Sequence, residues 1–139
     1  MIAGTPPAIG RWVWAAMLIG ICLEFALGVA CVVLVPVGRP DEWIPVQGRA
    51  VYVAHAVIGG MLGIGALVSF LVAAREGRMI FLGAGVGLAG LLLGAGGGML
   101  AVYHPWRLTG MALMFGGSFV ALFGFLIALH DPMPNEGLE

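Results

Sequence analysis

Four long apolar stretches divide the chain, and short polar segments separate them. The apolar stretches cover residues 12–37, 50–74, 79–102 and 106–129. A helix needs about 20 apolar residues to cross the hydrocarbon core of a bilayer, so each stretch is long enough. The polar segment at residues 75–78 has the length of a turn between antiparallel helices. The pattern predicts an all-α, polytopic membrane protein, a single domain over residues 1–139 built as an antiparallel four-helix transmembrane bundle with short loops.

The composition supports contact with lipid along most of the chain. Hydrophobic residues make up 61% of the sequence and charged residues 9%, whereas an average soluble domain has about 25% charged residues. The mean hydropathy is +1.08. The net charge is −1 and the sequence has no basic cluster, which argues against binding of nucleic acid. We therefore expect the lipid bilayer to be the main partner of the helix surfaces.

The orientation depends on a nearly balanced set of arginines. Four spans place both termini on one side of the membrane. Three arginines fall on each side: Arg11, Arg75 and Arg78 on the side of the termini, and Arg39, Arg49 and Arg107 on the other. The free amino terminus adds a positive charge to the first set, and positive charge favours the cytoplasmic side. We expect both termini in the cytoplasm and the protein in the cytoplasmic membrane of a bacterium.

Glycines follow one face of the third span. They recur at intervals of three and four residues, at Gly83, Gly87, Gly90, Gly94 and Gly98. Small residues let helix backbones approach closely inside a membrane, so this face is expected to pack against a neighbouring helix or another subunit. The dense glycine run at residues 94–98 also allows a groove for a flat ligand. In that alternative Gly94, Gly97 and Gly98 are candidate cofactor-binding residues.

Glu24 is the one acidic residue inside a predicted span. Counted from the end of its stretch at residue 37, it lies about 20 Å deep, near the bilayer midplane. An ionised carboxylate at that depth is costly, so the group is expected to be neutral, paired or facing protein. Ser118 lies at a comparable depth and is the predicted partner. The alternatives are a proton or cation site and a contact with another subunit.

Two histidines lie near the same membrane boundary, His55 about 7–8 Å below it and His104 at it. The glycines at residues 94–98 reach a depth similar to that of His55. Histidines on two facing helices are the ligand set of a bis-imidazole haem. Contact of His55, Tyr52 or Tyr103 with a quinone is an alternative, and so is an ordinary hydrogen-bonded histidine at the boundary.

The histidine-bearing stretches also resemble a known layout. They are residues 52–59, Tyr-Val-Ala-His-Ala-Val-Ile-Gly, and residues 103–106, Tyr-His-Pro-Trp. With four spans, a histidine on the second and another at the fourth, the chain resembles one four-helix half of a haem A synthase, or a small b-type cytochrome. The resemblance implies that His55 and His104 bind the iron of a haem b. The first outer loop lacks a cysteine pair and only one half is present, so haem A synthesis itself is not expected.

Three functional hypotheses follow from these observations. The first is a non-catalytic accessory or assembly subunit of a larger membrane complex, with other membrane subunits or further copies of this chain as partners. The second is a small redox protein that binds haem b or a quinone near the outer leaflet through His55 and His104. The third is proton-coupled transport by an oligomer that uses Glu24. An enzyme is not expected, because neither Ser69 nor Ser118 belongs to a recognisable nucleophile motif.

Overall fold

A computed structural model describes residues 11–35, 44–102 and 104–130, with the backbone alone for His104. These ranges contain four long helices and a 3-10 turn at His104–Trp106. The helices are α1 Arg11–Leu34, α2 Arg49–Ala73, α3 Arg78–Val102 and α4 Arg107–His130. Each is long and apolar enough to cross a membrane. The prediction of an all-α bundle with four spans is confirmed, and the chain is an integral membrane protein whose apolar helices contact lipid.

Proline and glycine define the two ends of the connection between α1 and α2. Helix α1 ends at Leu34, earlier than the predicted end at residue 37, and Val35 forms a bend before Pro36. A residue before proline is disfavoured in helical conformation, which explains the earlier end. Helix α2 begins after Gly48, whose φ of 74° is left-handed. Glycine adopts that conformation at little cost because it has no Cβ.

We predict that Gly48→Ala lowers the free energy of unfolding by about 1–2 kcal/mol, because alanine is strained at this φ. An added Cβ would also lie 2.8 Å from Cγ2 of Val35. The measurement is unfolding by a denaturing detergent, followed by circular dichroism. Gly60→Ala is the control, since a Cβ there meets no heavy atom within 4 Å. Equal stability of the two variants would contradict the prediction.

The helices form a ring in chain order. Helix α1 packs against α2 and α4, and α3 packs against the same two neighbours. Among the described residues, the backbones of the diagonal pairs α1 with α3 and α2 with α4 do not approach each other closely. The space between the diagonal helices must therefore be filled by side chains or left open.

Helices α3 and α4 are in backbone contact along most of their length. Small residues of the two helices face each other in steps of three and four residues: Gly83 faces Gly124 and Ala128, Gly87 faces Gly124, Gly90 faces Gly117 and Ala121, Gly94 faces Gly117, and Gly97 faces Gly110. The predicted packing face of the third span is confirmed with one correction. Gly97 takes the last position on this face, and Gly98 points away from α4 with no heavy atom within 4 Å of a Cβ.

The apolar core fills only one half of the bundle, the half that contains the turn between α2 and α3. Its fully buried large side chains are Trp14, Ile21 and Phe125, and the rings of Trp14 and Phe125 lie 6.0 Å apart. The other buried apolar residues of the described chain are Met17, Ala66, Ala73, Ile80, Ala84, Ala121 and Ala128. The half near Leu34, Arg49 and Arg107 contains a cavity in place of such a core.

Candidate functional site

The cavity has a volume of about 850 Å³ and is lined by all four helices. Sites for small molecules commonly have volumes of roughly 300–1,000 Å³, mostly apolar walls and a few polar groups that orient the ligand. Apolar side chains and glycines make up most of this wall. The titratable or hydroxyl-bearing side chains on it are Glu24, Cys31, Tyr52, His55, Arg107 and Ser118.

Glu24 of α1 and His55 of α2 are in contact on the wall of the cavity. The distance between Oε1 of Glu24 and Nδ1 of His55 is 2.8 Å, and the exposed fractions of the two side chains are 13% and 20%. Although the atoms are close, the geometry at Nδ1 does not satisfy the angle of a hydrogen bond. The contact is therefore a short approach of two polar groups without the geometry of a hydrogen bond.

The second carboxylate oxygen of Glu24 is buried and has no hydrogen-bond partner among the described residues. Buried polar atoms in folded proteins nearly always have a partner, because leaving one without a hydrogen bond costs about 1–3 kcal/mol. The oxygen is enclosed by neighbouring atoms, so a donor in the cavity reaches it only after the side chain of Glu24 moves.

Two glycines make the contact between Glu24 and His55 possible. A Cβ at Gly59 would lie 2.5 Å from Oε1 of Glu24, and a Cβ at Gly28 would lie 3.4 Å from Cε1 of His55. Glu24 therefore lies against Gly59 of α2, and His55 lies against Gly28 of α1. Larger residues at these two positions would displace the carboxylate or crowd the imidazole.

The register of α1 and α2 explains why the sequence did not predict this pair. Val35 lies opposite Gly48, and counting helical rise from that level places the backbones of Glu24 and His55 about 16 Å and about 10 Å below it. One helical turn separates them, and the long side chain of Glu24 spans that turn. The predicted depths of about 20 Å and 7–8 Å had separated the two residues, because they were counted from residue 37 and from the boundary independently.

The predicted pairing of Glu24 with Ser118 is wrong. The hydroxyl of Ser118 donates a hydrogen bond to the carbonyl oxygen of Met114 in its own helix, at 3.0 Å. Serine in a membrane helix often satisfies its hydroxyl in this way, through the carbonyl four residues earlier. Ser118 nevertheless lies on the wall of the same cavity as Glu24.

The other predicted site residues divide into three groups. Gly94 and Gly98 line the cavity together with His55. Gly97 is buried against Gly110 and does not line it. The side chain of His104, the second predicted haem ligand, lies outside the described residues, as does the whole of Tyr103. Tyr52, named as an alternative quinone contact, lies on the cavity wall.

Sequence reasoning missed the place of Arg107 and of the two glycines in the site. Arg107 entered only the charge balance across the membrane, but as the first residue of α4 it lies on the cavity wall. Gly28 and Gly59 each lie four residues after a polar membrane residue, Glu24 and His55 respectively. Side chains four residues apart share a helix face, so a glycine one turn after a polar membrane residue could have indicated space for a facing side chain on that face.

The gaps between neighbouring helices are not closed equally. Between α1 and α4, the rings of Phe25 and Phe115 lie 5.3 Å apart beside the cavity. Between α2 and α3, Phe70 stacks on Phe81 at 4.9 Å, but this contact lies near the turn that joins the two helices. Farther along α2, a Cβ at Gly60 would meet no heavy atom within 4 Å. The cavity is therefore open on the side between α2 and α3.

The described residues contain no group of three or more His, Cys, Asp or Glu side chains that could hold a metal ion. Protein-only metal sites generally need three or four such ligands.

Comparison with known proteins adds no family to these observations. No family model matches the sequence, and no curated protein or solved structure is significantly similar to it.

Proposed function

We propose that the chain binds a flat, lipid-soluble carbonyl compound of the quinone class in the cavity between its four helices. The observation that carries the proposal is the contact between Glu24 and His55 at 2.8 Å, in the wall of a cavity of about 850 Å³ that is otherwise largely apolar. Such a site accepts a ring between apolar walls and orients it through a few polar groups.

The pair supplies complementary hydrogen-bonding groups for an oxygen of the ring. A neutral imidazole has one donor and one acceptor nitrogen, and a carboxylate offers only acceptors. In the uncharged pair, the protonated carboxyl group of Glu24 can donate through Oε1 to Nδ1 of His55. This arrangement leaves Nε2–H as a donor to a carbonyl oxygen. After the side chain of Glu24 moves, its second oxygen can accept a hydrogen bond from a hydroxyl group of the reduced ring. We assign binding of both forms to this chain, and any electrons would come from another protein.

Binding is testable with 2,3-dimethyl-1,4-naphthoquinone, a ring without a tail or a free position for thiol addition. Purified protein in lipid nanodiscs is expected to bind it saturably by equilibrium titration. His55→Leu is expected to weaken binding by about threefold to tenfold, because a hydrogen bond between neutral groups contributes about 0.5–1.5 kcal/mol. Ser118→Ala is the matched control on the same wall and should bind as the wild type does, since its hydroxyl is used within α4.

Two results would argue against the proposal. One is the absence of saturable binding to the wild-type protein, and the other is unchanged affinity in His55→Leu. Location can be checked through the two native cysteines. Cys31 lies on the cavity wall and Cys22 is exposed outside it, so bound quinone should slow alkylation of Cys31 alone.

A b-type haem is the second candidate, and the carboxylate beside Nδ1 of His55 favours it. Histidines that bind a metal generally hold their other ring nitrogen against a carboxylate or carbonyl, which fixes the ring and leaves Nε2 for the metal. His55 would hold the iron, Glu24 would orient the ring, and the backbone at Gly94 and Gly98 leaves room for a flat group. Haem supplies one-electron chemistry when bound.

The absorption spectrum separates the two candidates. Haem binding predicts a Soret band that shifts on reduction and is absent in His55→Leu. Protein that is colourless after expression with a supply of haem, yet binds the naphthoquinone, would favour the quinone and remove the haem candidate. The role of His104 as second ligand is tested in the same way with His104→Leu.

An accessory or assembly role in a larger membrane complex fits the same site, because an electron partner is needed for a bound quinone to react. It predicts that a larger membrane protein co-purifies in mild detergent. Proton transport by Glu24 has less support, since the cavity ends at the core around Trp14 and Phe125. If both termini are cytoplasmic, as the arginines predict, the cavity lies in the outer leaflet of a bacterial cytoplasmic membrane.

A further inference from the structure

The gap between α2 and α3 joins the cavity to the lipid-facing surface. On α2, Gly60 and Gly63 line the cavity, and a Cβ at either position would meet no heavy atom within 4 Å. On α3, Gly98 has the same two properties. The three glycines therefore border open space that belongs both to the cavity and to the surface between the two helices.

Larger residues of α3 also lie both on the cavity wall and on the lipid-facing surface. Leu92 and Met99 line the cavity although 64% and 66% of their surfaces are exposed. In a membrane, that exposed surface faces acyl chains. The wall residues of α2 from Ala56 to Gly63 and of α3 from Leu88 to Met99 are all glycine, alanine, leucine or methionine, so an apolar group in this gap passes no polar side chain on these stretches.

At the level of the cavity, the neighbouring gap between α1 and α2 is closed by side chains. A Cβ at Gly59 would lie 2.5 Å from Oε1 of Glu24, and one at Gly28 would lie 3.4 Å from Cε1 of His55. Phe25 closes the gap between α1 and α4 against Phe115. Close packing of α3 with α4 excludes even a methyl group at Gly90. Lateral exit from the cavity is therefore directed between α2 and α3.

We infer that this gap is a portal for a long apolar tail, so that the ligand class is an amphipathic lipid with a carbonyl-bearing ring and an aliphatic chain. The ring lies in the cavity at Glu24 and His55, and the chain passes between α2 and α3 into the bilayer. A cavity of about 850 Å³ encloses the ring, while the tail stays in lipid, where its transfer costs little. The inference rests on the proposed function for the ring and adds the tail and its route.

The test compares two probes that share one ring. One is 2,3-dimethyl-1,4-naphthoquinone, and the other is the same naphthoquinone ring with a four-unit isoprenoid tail in place of one methyl group. Their affinities for Gly60→Phe and Gly63→Phe are measured in nanodiscs, as mole fractions in lipid. Gly96→Phe is the matched control, because Gly96 is equally open on α3 but does not line the cavity.

A phenylalanine in the portal should weaken binding of the tailed probe and leave binding of the tail-less probe nearly unchanged. In Gly60→Phe or Gly63→Phe the tailed probe is expected to lose at least about tenfold in affinity, and the tail-less probe less than about threefold. Gly96→Phe should leave both affinities within about twofold of wild type. These three positions have open space, so the variants are expected to fold, which circular dichroism checks.

The outcomes distinguish the portal from the site itself. Equal loss for both probes, or no loss of the tailed probe in either portal variant, would overturn the portal while leaving the ring site in place. Failure of the wild-type protein to bind the tail-less ring would overturn the proposed function and the portal together. Selective loss of the tailed probe supports both.

Discussion

Replacing Gly90 by leucine is expected to force α3 and α4 apart and to lower the free energy of unfolding by about 3 kcal/mol or more. A Cβ at this position overlaps the backbone nitrogen of Ala121 and lies 2.7 Å from the carbonyl oxygen of Gly117. Neither atom belongs to a flexible side chain, so the overlap can be relieved only by moving a helix. The measurement is unfolding by a denaturing detergent, followed by circular dichroism and tryptophan fluorescence.

Gly96→Leu provides the matched control in the same helix. Gly96 is exposed, and a Cβ there meets no heavy atom within 4 Å. The same leucine should therefore change stability by no more than about 0.5 kcal/mol, as for an ordinary surface substitution. If both variants lost stability equally, the effect would come from helix propensity or membrane insertion, and the contact between α3 and α4 would be unimportant.

The second large effect is expected at Glu24 and His55, where the double variant should be more stable than either single variant. Removing one partner of a largely buried polar pair costs about 1–3 kcal/mol, because the remaining polar group stays buried without a hydrogen-bond partner. Glu24→Leu and His55→Leu are each expected to lose stability in this range. Replacing both partners by apolar side chains leaves no buried polar group without a partner, and such replacements are often neutral or stabilising.

A double-mutant cycle measures this coupling. Free energies of unfolding are determined for the wild type, the two single variants and the double variant, and independent sites would give additive losses. Additivity within about 0.5 kcal/mol would contradict the pairing seen at 2.8 Å. The double variant also serves the ligand experiments, since it is expected to be folded and to have lost the polar contact for a ring.

The two predictions concern opposite properties of one bundle. Helices α3 and α4 are in close backbone contact because the residues that face each other between them are glycines and alanines. The glycines on the cavity side have the opposite effect: at Gly60, Gly63 and Gly98 the missing side chains leave space unfilled. The same residue type therefore closes one interface and opens another, depending on whether a backbone lies opposite it.

Several features of this protein were accessible from sequence because they depend on local properties. Hydropathy and length predict four spans, since a helix must satisfy its backbone hydrogen bonds within the bilayer. Spacing of three and four residues predicted the packing face of α3, since that period keeps residues on one side of a helix. The period alone could not decide between Gly97 and Gly98 as its last member, because both lie within one step of Gly94.

Part of the site was accessible in the same way. Glu24 and His55 could be singled out as polar residues within apolar spans, since such residues in a membrane need a partner or a function. Gly94 and Gly98 could be named as a possible wall for a flat ligand, and both line the cavity with His55. The sequence shows the residue types and the helix that carries each of them, but it does not show which residue faces them.

The tertiary structure alone decided the pairing of Glu24 with His55 and the opening between α2 and α3. The pairing depends on where α1 ends and on the register that sets Val35 against Gly48, and a shift of one helical turn would remove it. Ser118 was the better partner by depth, yet its own helix satisfies its hydroxyl. The opening depends on which helix faces each glycine. Hydropathy and spacing assign each residue to a helix and to a face of that helix. The register between two helices, and the helix that lies opposite each face, are set by packing of the whole bundle.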